Sequence, residues 1–160
     1  MTAALETTLR PLVPQDYEVL ASWVADAVAC ARWAGPGLCF PFRTADLPAL
    51  LAVPGARSYV LAEAGALPLG FGQHWVQTPE AVHLGRIIVS PQVRGHGVGR
   101  RLCELLIAAA IESTHATAVT LRVYRDNAVA LRLYAGLCFL PMEAESTAET
   151  LFMKRAAGPT

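Results

Sequence analysis

Leu84-Gly85-Arg86-Ile87-Ile88-Val89-Ser90-Pro91-Gln92-Val93-Arg94-Gly95-His96-Gly97-Val98-Gly99-Arg100-Arg101 reads as a strand, a glycine-rich turn and the first turn of a helix. That order decides the fold. Leu84 to Val89 is a short apolar, strand-like run, and an amphipathic stretch begins near Val98. Between them, glycines at alternate positions let consecutive backbone N–H groups turn toward one point. A helix starting there adds its unsatisfied amides and the positive end of its dipole, so an anion belongs at the turn. Arg94, Arg100 and Arg101 flank it with guanidinium groups suited to bidentate contact with phosphate. His96, inside the loop, can donate to phosphate or stand as an ordinary solvated residue.

Two familiar phosphate loops fail against these letters. A dinucleotide loop needs a third glycine where this chain has Arg100, and no early strand–turn–helix unit carries the motif. A Walker loop needs Gly-Lys followed by Ser or Thr, and the only lysine is Lys154. What fits is Gln/Arg-x-x-Gly-x-Gly/Ala, matched by Arg94, Gly97 and Gly99. This is the acyl-coenzyme A signature of the GNAT superfamily of N-acyltransferases, which the chain resembles from here onward. A second motif supports the resemblance. After the alternation of Val119, Leu121 and Val123 comes Asp126-Asn127-Ala128-Val129-Ala130-Leu131-Arg132-Leu133-Tyr134, then Leu137-Cys138-Phe139. It is similar to the superfamily's N-x-x-A-x-x-x-Y helix followed by a Gly-Phe strand.

Composition sets bounds consistent with that. A chain of 160 residues, 54% hydrophobic, suits one domain with one core, and residues 1–160 are expected to form it. The formal net charge is zero, which argues against a general nucleic-acid or membrane-surface binder. Cys30, Cys39, Cys103 and Cys138 form no C-x-x-C pair and no metal-like spacing with histidine, and no secretory signal precedes them. Reduced thiols and a soluble, cytoplasmic protein are therefore expected. Leu105 to Ile111, the longest apolar run in the helix after the loop, falls far short of the roughly 20 residues that span a bilayer.

The remaining elements follow from periodicity and turn residues. Leu9 to Val13 reads as a first strand, and Asp16 begins a helix bearing Tyr17, Leu20 and Val24. Trp33 to Phe42 is turn-rich, with Gly35, Pro36, Gly37 and Pro41 among aromatic residues, and Thr44 can cap a short helix through Leu51. Ser58–Ala62, Leu67–Val76 and Ala81–Val89 read as an antiparallel meander. In its last strand, alternation gives way to Ile87-Ile88-Val89, which suits either a bulge or burial on both faces. Val98, Leu102, Leu105, Leu106 and Ala109 make one apolar helix stripe, and segments around Phe139 and Leu151–Met153 supply closing strands.

The resemblance implies a mixed, mostly antiparallel α/β sheet with helices on both faces. It also implies an N-acetyltransferase without metal, in which the amine of a small molecule or peptide directly attacks acetyl-coenzyme A in a ternary complex. By resemblance, Arg94 to Arg100 bind the coenzyme's phosphates, a bulge near Ile88 and Val89 frees backbone groups for the pantetheine arm, Asn127 contacts that arm, and Tyr134 is the general acid. Asn127 also has the chemistry of a helix cap, and the two roles can coexist. Cys103 and Cys138 sit among apolar residues, which suits packing better than covalent catalysis.

Two departures stand out. Arg122 occupies the strand position where ribosomal-protein N-terminal acetyltransferases of the superfamily commonly carry a glutamate base, leaving His74, His83 and Glu63 as candidates for water-relayed deprotonation. Cys138 stands where relatives have glycine, so Gly136 is expected to end the helix instead. Acceptor selection is expected at Trp33 to Phe42, with Arg32 and Arg43 beside it, for a small amine with an apolar part and a carboxylate. A homodimer is expected by analogy with relatives. A noncatalytic acyl-coenzyme A sensor remains the alternative that Arg122 keeps open.

Overall fold

The computed structural model describes residues 6–35 and 38–158. Seven strands form one sheet in the order β1-β2-β3-β4-β5-β7-β6. They are β1 (Thr7–Pro11), β2 (Arg57–Glu63), β3 (Gly70–Thr78), β4 (Ala81–Val89), β5 (Ala118–Tyr124), β6 (Leu140–Pro141) and β7 (Thr150–Ala156). Every neighbouring pair is antiparallel except β4 with β5, which is parallel because helix α4 (Val98–Thr114) lies between them in sequence. The mixed, mostly antiparallel sheet expected from the resemblance is therefore present.

Alternating side chains divide the core between the two faces. On one face, Leu84, Leu121, Val123 and Met153 pack beneath α4 and α5 (Ala128–Gly136). On the other, Val60 and Phe71 pack against Leu20 of α1 (Asp16–Ser22), Cys30 and Trp33 of α2 (Ala27–Ala34) and Leu47 of α3 (Leu47–Leu50). Among the described residues no helix is long and apolar enough to cross a membrane.

Several local expectations shift by a turn or a role. Asp16 does open α1, but its carboxylate is buried and bonded to Arg10 at 2.8 and 2.9 Å and to the Val13 amide at 2.8 Å. Helix α2, over residues given no element in the sequence reading, runs into the start of the turn-rich segment at Trp33 and Ala34, and it is capped by Asp26, which accepts from the Ala29 amide at 2.8 Å. Thr44 does not cap α3; a 3₁₀ turn over Thr44–Asp46 leads into it. Pro36 and Gly37, part of the turn-rich segment, lie outside the described residues. On α4 the buried stripe is Val98, Leu102, Cys103, Leu106, Ile107 and Ala110, leaving Leu105 and Ala109 at its border.

Candidate active site

The ladder between β4 and β5 runs from Ala81 paired with Ala118 to Leu84 paired with Leu121, then stops. Beyond Leu84 the strands part, because β4 bulges. Phe71 faces Ile88 and Gln73 faces Gly85, so two residues of β4, Arg86 and Ile87, oppose the single Gly72. Arg86 takes the extra step with a φ of 53°, a conformation costly for a residue with a Cβ. Its carbonyl accepts from Trp33 Nε1 at 2.8 Å, and its guanidinium reaches the Leu51 carbonyl and Gln73 Oε1, each at 3.0 Å. The bulge read from Ile87-Ile88-Val89 is thus real, and it begins one residue earlier. Gly85 accommodates it, since any Cβ there would overlap the Trp75 ring.

The parting opens a cleft of about 420 Å³ between β4, β5, α2 and α5. Tyr134 lines it from α5 and is only 7% exposed. Its ring packs edge-on against Phe139 at 5.9 Å, and its hydroxyl has no hydrogen-bond partner among the described residues yet is not a sealed atom. Burial, with a smaller contribution from the nearby Cys103 thiol, raises the phenol's pKa, so it holds its proton. Asn127 lines the same cleft while its side-chain oxygen caps α5 by accepting from the Ala130 amide at 3.2 Å. Its amide nitrogen remains available to donate, which is how capping and ligand contact can coexist.

The glycine-rich loop sits where β4 hands over to α4. Gly95 and Gly97 have φ of 82° and 77°, and a Cβ at either would meet nothing, so backbone conformation rather than space requires glycine there. Gly97 is the N-cap of α4 and no side chain caps the helix, which leaves its first amides open. At Gly99 a Cβ would make ordinary van der Waals contact, 3.6 Å from Val89 and 3.7 Å from Leu133, so neither backbone conformation nor space requires glycine there, and the start of α4 lies against β4 and α5. Val98 faces the core with Leu61 and Leu102, leaving only its backbone for the loop. Arg94 and His96 are exposed; Arg100 bonds Glu104 at 3.0 Å, and Arg101 reaches the Thr7 carbonyl at 3.4 Å.

The base candidates separate. His83 lines the cleft, but its ring stacks between Trp75 and Phe152 and its Nδ1 lies 2.8 Å from Thr120 Oγ1. Burial, reinforced by Arg122, lowers its pKa to about 4, so it is a neutral and weak base. His74 lies outside the cleft against Tyr59, with Ser113 Oγ 3.4 Å from its Nε2, and Glu63 does not line the cleft either. Arg122 does line it, exposed, over the Phe152 ring at 4.9 Å. Among the expected acceptor residues, Arg32 and Trp33 reach the cleft, whereas Arg43 pairs with Asp46 outside it. Arg32 bonds Asp126 in a fork that links α2 to the loop before α5, and it covers Tyr124 at 4.6 Å. Cys103 is sealed in the core with its pKa pushed up to about 12 by burial, so it carries no thiolate.

Sequence reasoning missed Trp75, Arg86 and Tyr124. A signal existed for Arg86: an arginine interrupting an otherwise apolar strand needs a structural reason.

A sheet splayed between two parallel strands, with an uncapped helix N-terminus at one end and a buried tyrosine in the gap, is the framework of an acyl-transferring α/β protein. The chain belongs to the acetyltransferase (GNAT) family, whose model matches residues 23–138. Spermidine N-acetyltransferase from Vibrio cholerae, solved with CoA and spermine, is similar to it with a TM-score of 0.79 at 16% identity over 95% of this chain and 96% of that one. Aminoglycoside acetyltransferase AAC(6')-Ib, solved with coenzyme A, gives 0.73 at 19% identity over 94% and 95%. The same enzyme with ribostamycin and coenzyme A gives 0.75 at 20% over 94% and 93%.

Proposed function

We propose that this protein transfers an acetyl group from acetyl-coenzyme A to the amine of a small molecule or peptide. The observation that carries the reading is the parting of β4 from β5 beyond Leu84 and Leu121, which opens the cleft that Tyr134 lines, while β4 runs on past the cleft to the loop where the first amides of α4 are uncapped. The loop from Arg94 to Arg100, through the amides at Gly95, His96, Gly97, Val98 and Gly99, receives the pyrophosphate. The unpaired edge of β4 at Ile88 and Val89 bonds the amide-bearing arm, with Asn127 donating from the far side.

The bound donor supplies an activated thioester. The amine nitrogen attacks the carbonyl carbon, a C–N bond forms, the C–S bond breaks, and the thiolate takes the proton of the Tyr134 hydroxyl, while the surplus proton on the new amide nitrogen passes through water and restores that hydroxyl. Burial raises the phenol's pKa, and the same surroundings make the departing thiolate more basic, so the proton transfer stays matched. No aspartate or glutamate lines the cleft among the described residues, and His83 is held with its Nδ1 against Thr120 Oγ1 and its ring between Trp75 and Phe152. The amine's own proton therefore leaves to water at the cleft mouth before attack.

That same lack of a base favours a second reading, an acyl-coenzyme A-binding domain without turnover. Thermal unfolding with acetyl-coenzyme A, coenzyme A, NAD and ATP tests the shared premise. A ligand at 100 times its Kd stabilises the fold by about 2.7 kcal/mol. Stabilisation by the two coenzyme A forms alone is expected; none from them, or more from NAD or ATP, sinks both readings.

A further inference from the structure

The amine-receiving part of the cleft carries positive charge with little to balance it. Arg32, Arg86 and Arg122 line it, and no carboxylate does among the described residues. These cations differ in what they are free to do. Arg32 is neutralised by Asp126. Arg86 is held by two neutral acceptors, the Leu51 carbonyl and Gln73 Oε1, and forms no ion pair among the described residues, so it is a fixed charge behind the wall. Arg122 gives one N–H to the Glu145 carbonyl at 3.0 Å and has no other hydrogen bond or ion pair there. Among the described residues, neither acid next to it forms an ion pair with it. Glu143 pairs with Arg125, and Glu145 offers Arg122 only its backbone.

Arg122 also ends an aromatic shelf. Trp75 lies 5.2 Å from His83, His83 is stacked 6.2 Å from Phe152, and the guanidinium sits over Phe152. A polycation entering here would meet like charge and no carboxylate among the described residues that line the cleft. A carboxylate would meet a guanidinium with free donors in the fork geometry that binds it bidentately.

We infer that the acceptor is a small amine bearing a carboxylate, which Arg122 receives while the apolar part lies along Trp75 and His83, and that polyamines are poor acceptors. This rests on the acetyl-transfer reading and assigns the carboxylate to a different arginine from the Arg32 and Arg43 expected from sequence. The structural neighbours that act on spermidine or aminoglycosides share the fold at 16–20% identity, which leaves acceptor chemistry to this cleft's own residues.

The test has a binding arm and a turnover arm. N-acetylphenylalanine and N-acetylphenylalaninamide are titrated calorimetrically into the full chain saturated with coenzyme A. The carboxylate is expected to bind at least tenfold more tightly, with the ratio falling to near one in Arg122→Gln and partly restored in Arg122→Lys. In turnover with acetyl-coenzyme A, Arg122→Gln should lower kcat/KM for phenylalanine at least tenfold more than for phenylalaninamide, and spermidine should be the slowest acceptor. Equal binding of the two probes, a preference that survives in Arg122→Gln, or spermidine outpacing phenylalanine overturns the inference. An intact anion preference with no amine acetylated supports the anion site and overturns the acetyl-transfer reading instead.

Discussion

At the scale of single residues, Tyr134 has a hydroxyl with no internal partner among the described residues and a proton held by burial, and the proposed acid role requires that proton to pass to the departing thiolate. Tyr134→Phe is expected to lower kcat by about 10²-fold or more while leaving the Kd for acetyl-coenzyme A within about twofold, read by stopped turnover and calorimetry. Unchanged kcat at saturating substrates would remove Tyr134 from that role. The lack of a cleft carboxylate makes a prediction about pH. The rate should rise with pH up to an inflection set by the acceptor's own amine, and that inflection should move between two acceptors of different basicity. An inflection that stays fixed for both would reveal a protein base that the cleft does not display. His83 makes a separate prediction about stability. Its pKa is about 4 when folded and about 6.5 when free, so the unfolded state binds more protons between those values. Stability is then complete above pH 6.5 and is lost as pH falls toward 4, by up to about 3 kcal/mol from this group. Urea unfolding should show a shallower loss from pH 7 to pH 4 in His83→Phe than in the native chain, and an identical loss would show that the ring is protonated when folded.

At the scale of elements, the end of α5 sets a residue with a Cβ in a conformation that favours glycine. The amide of Cys138 bonds the Ala135 carbonyl at 3.1 Å, that of Phe139 bonds the Tyr134 carbonyl at 3.0 Å, and Cys138 has a φ of 71°. The helix does end at Gly136 as expected, but this is a Schellman ending whose left-handed position falls two residues on, at Cys138. Cys138→Gly should therefore raise the unfolding free energy by about 1 kcal/mol in a urea titration, with no gain contradicting the strain. The glycine-rich loop was legible because its glycines do what their positions demand: Gly95 and Gly97 adopt left-handed conformations at the turn from β4 into α4. Helix α2 was missed although its cap, Asp26, and its buried stripe of Cys30, Trp33 and Ala34 were in plain sight, because the neighbouring prolines and glycines dominated the reading. The bulge was half-legible. An unbroken apolar run marks the place, but the residue that turns is Arg86, whose conformation is fixed by Trp33, Leu51 and Gln73 from three distant segments.

At the scale of the whole molecule, the cleft exists because two packing problems have different solutions on the two sides of one sheet. Helices α4 and α5 cover β4, β5 and β7 on one face, while α1 to α3 cover β2 and β3 on the other. Where β4 leaves β5, α2 approaches from one face and α5 from the other, and the fork between Arg32 and Asp126 ties the two sides together. No local pattern announces such a site, since its walls come from residues 31 to 150. The motifs mark the proposed donor end; the proposed acceptor end depends on long-range placement. Arg94→Ala should weaken acetyl-coenzyme A binding about tenfold through loss of a charge-assisted phosphate contact while leaving the fold's stability within about 0.5 kcal/mol. The measurement that bears most directly on the whole account is amine-dependent release of free coenzyme A from acetyl-coenzyme A, with the acceptor's gain of one acetyl group followed by mass spectrometry. Release that requires the amine, matches the acetylated product one for one and collapses in Tyr134→Phe is predicted. Tight binding of acetyl-coenzyme A with no acetylated amine across carboxylate-bearing, neutral and polycationic acceptors would contradict the account and leave a binding domain in its place.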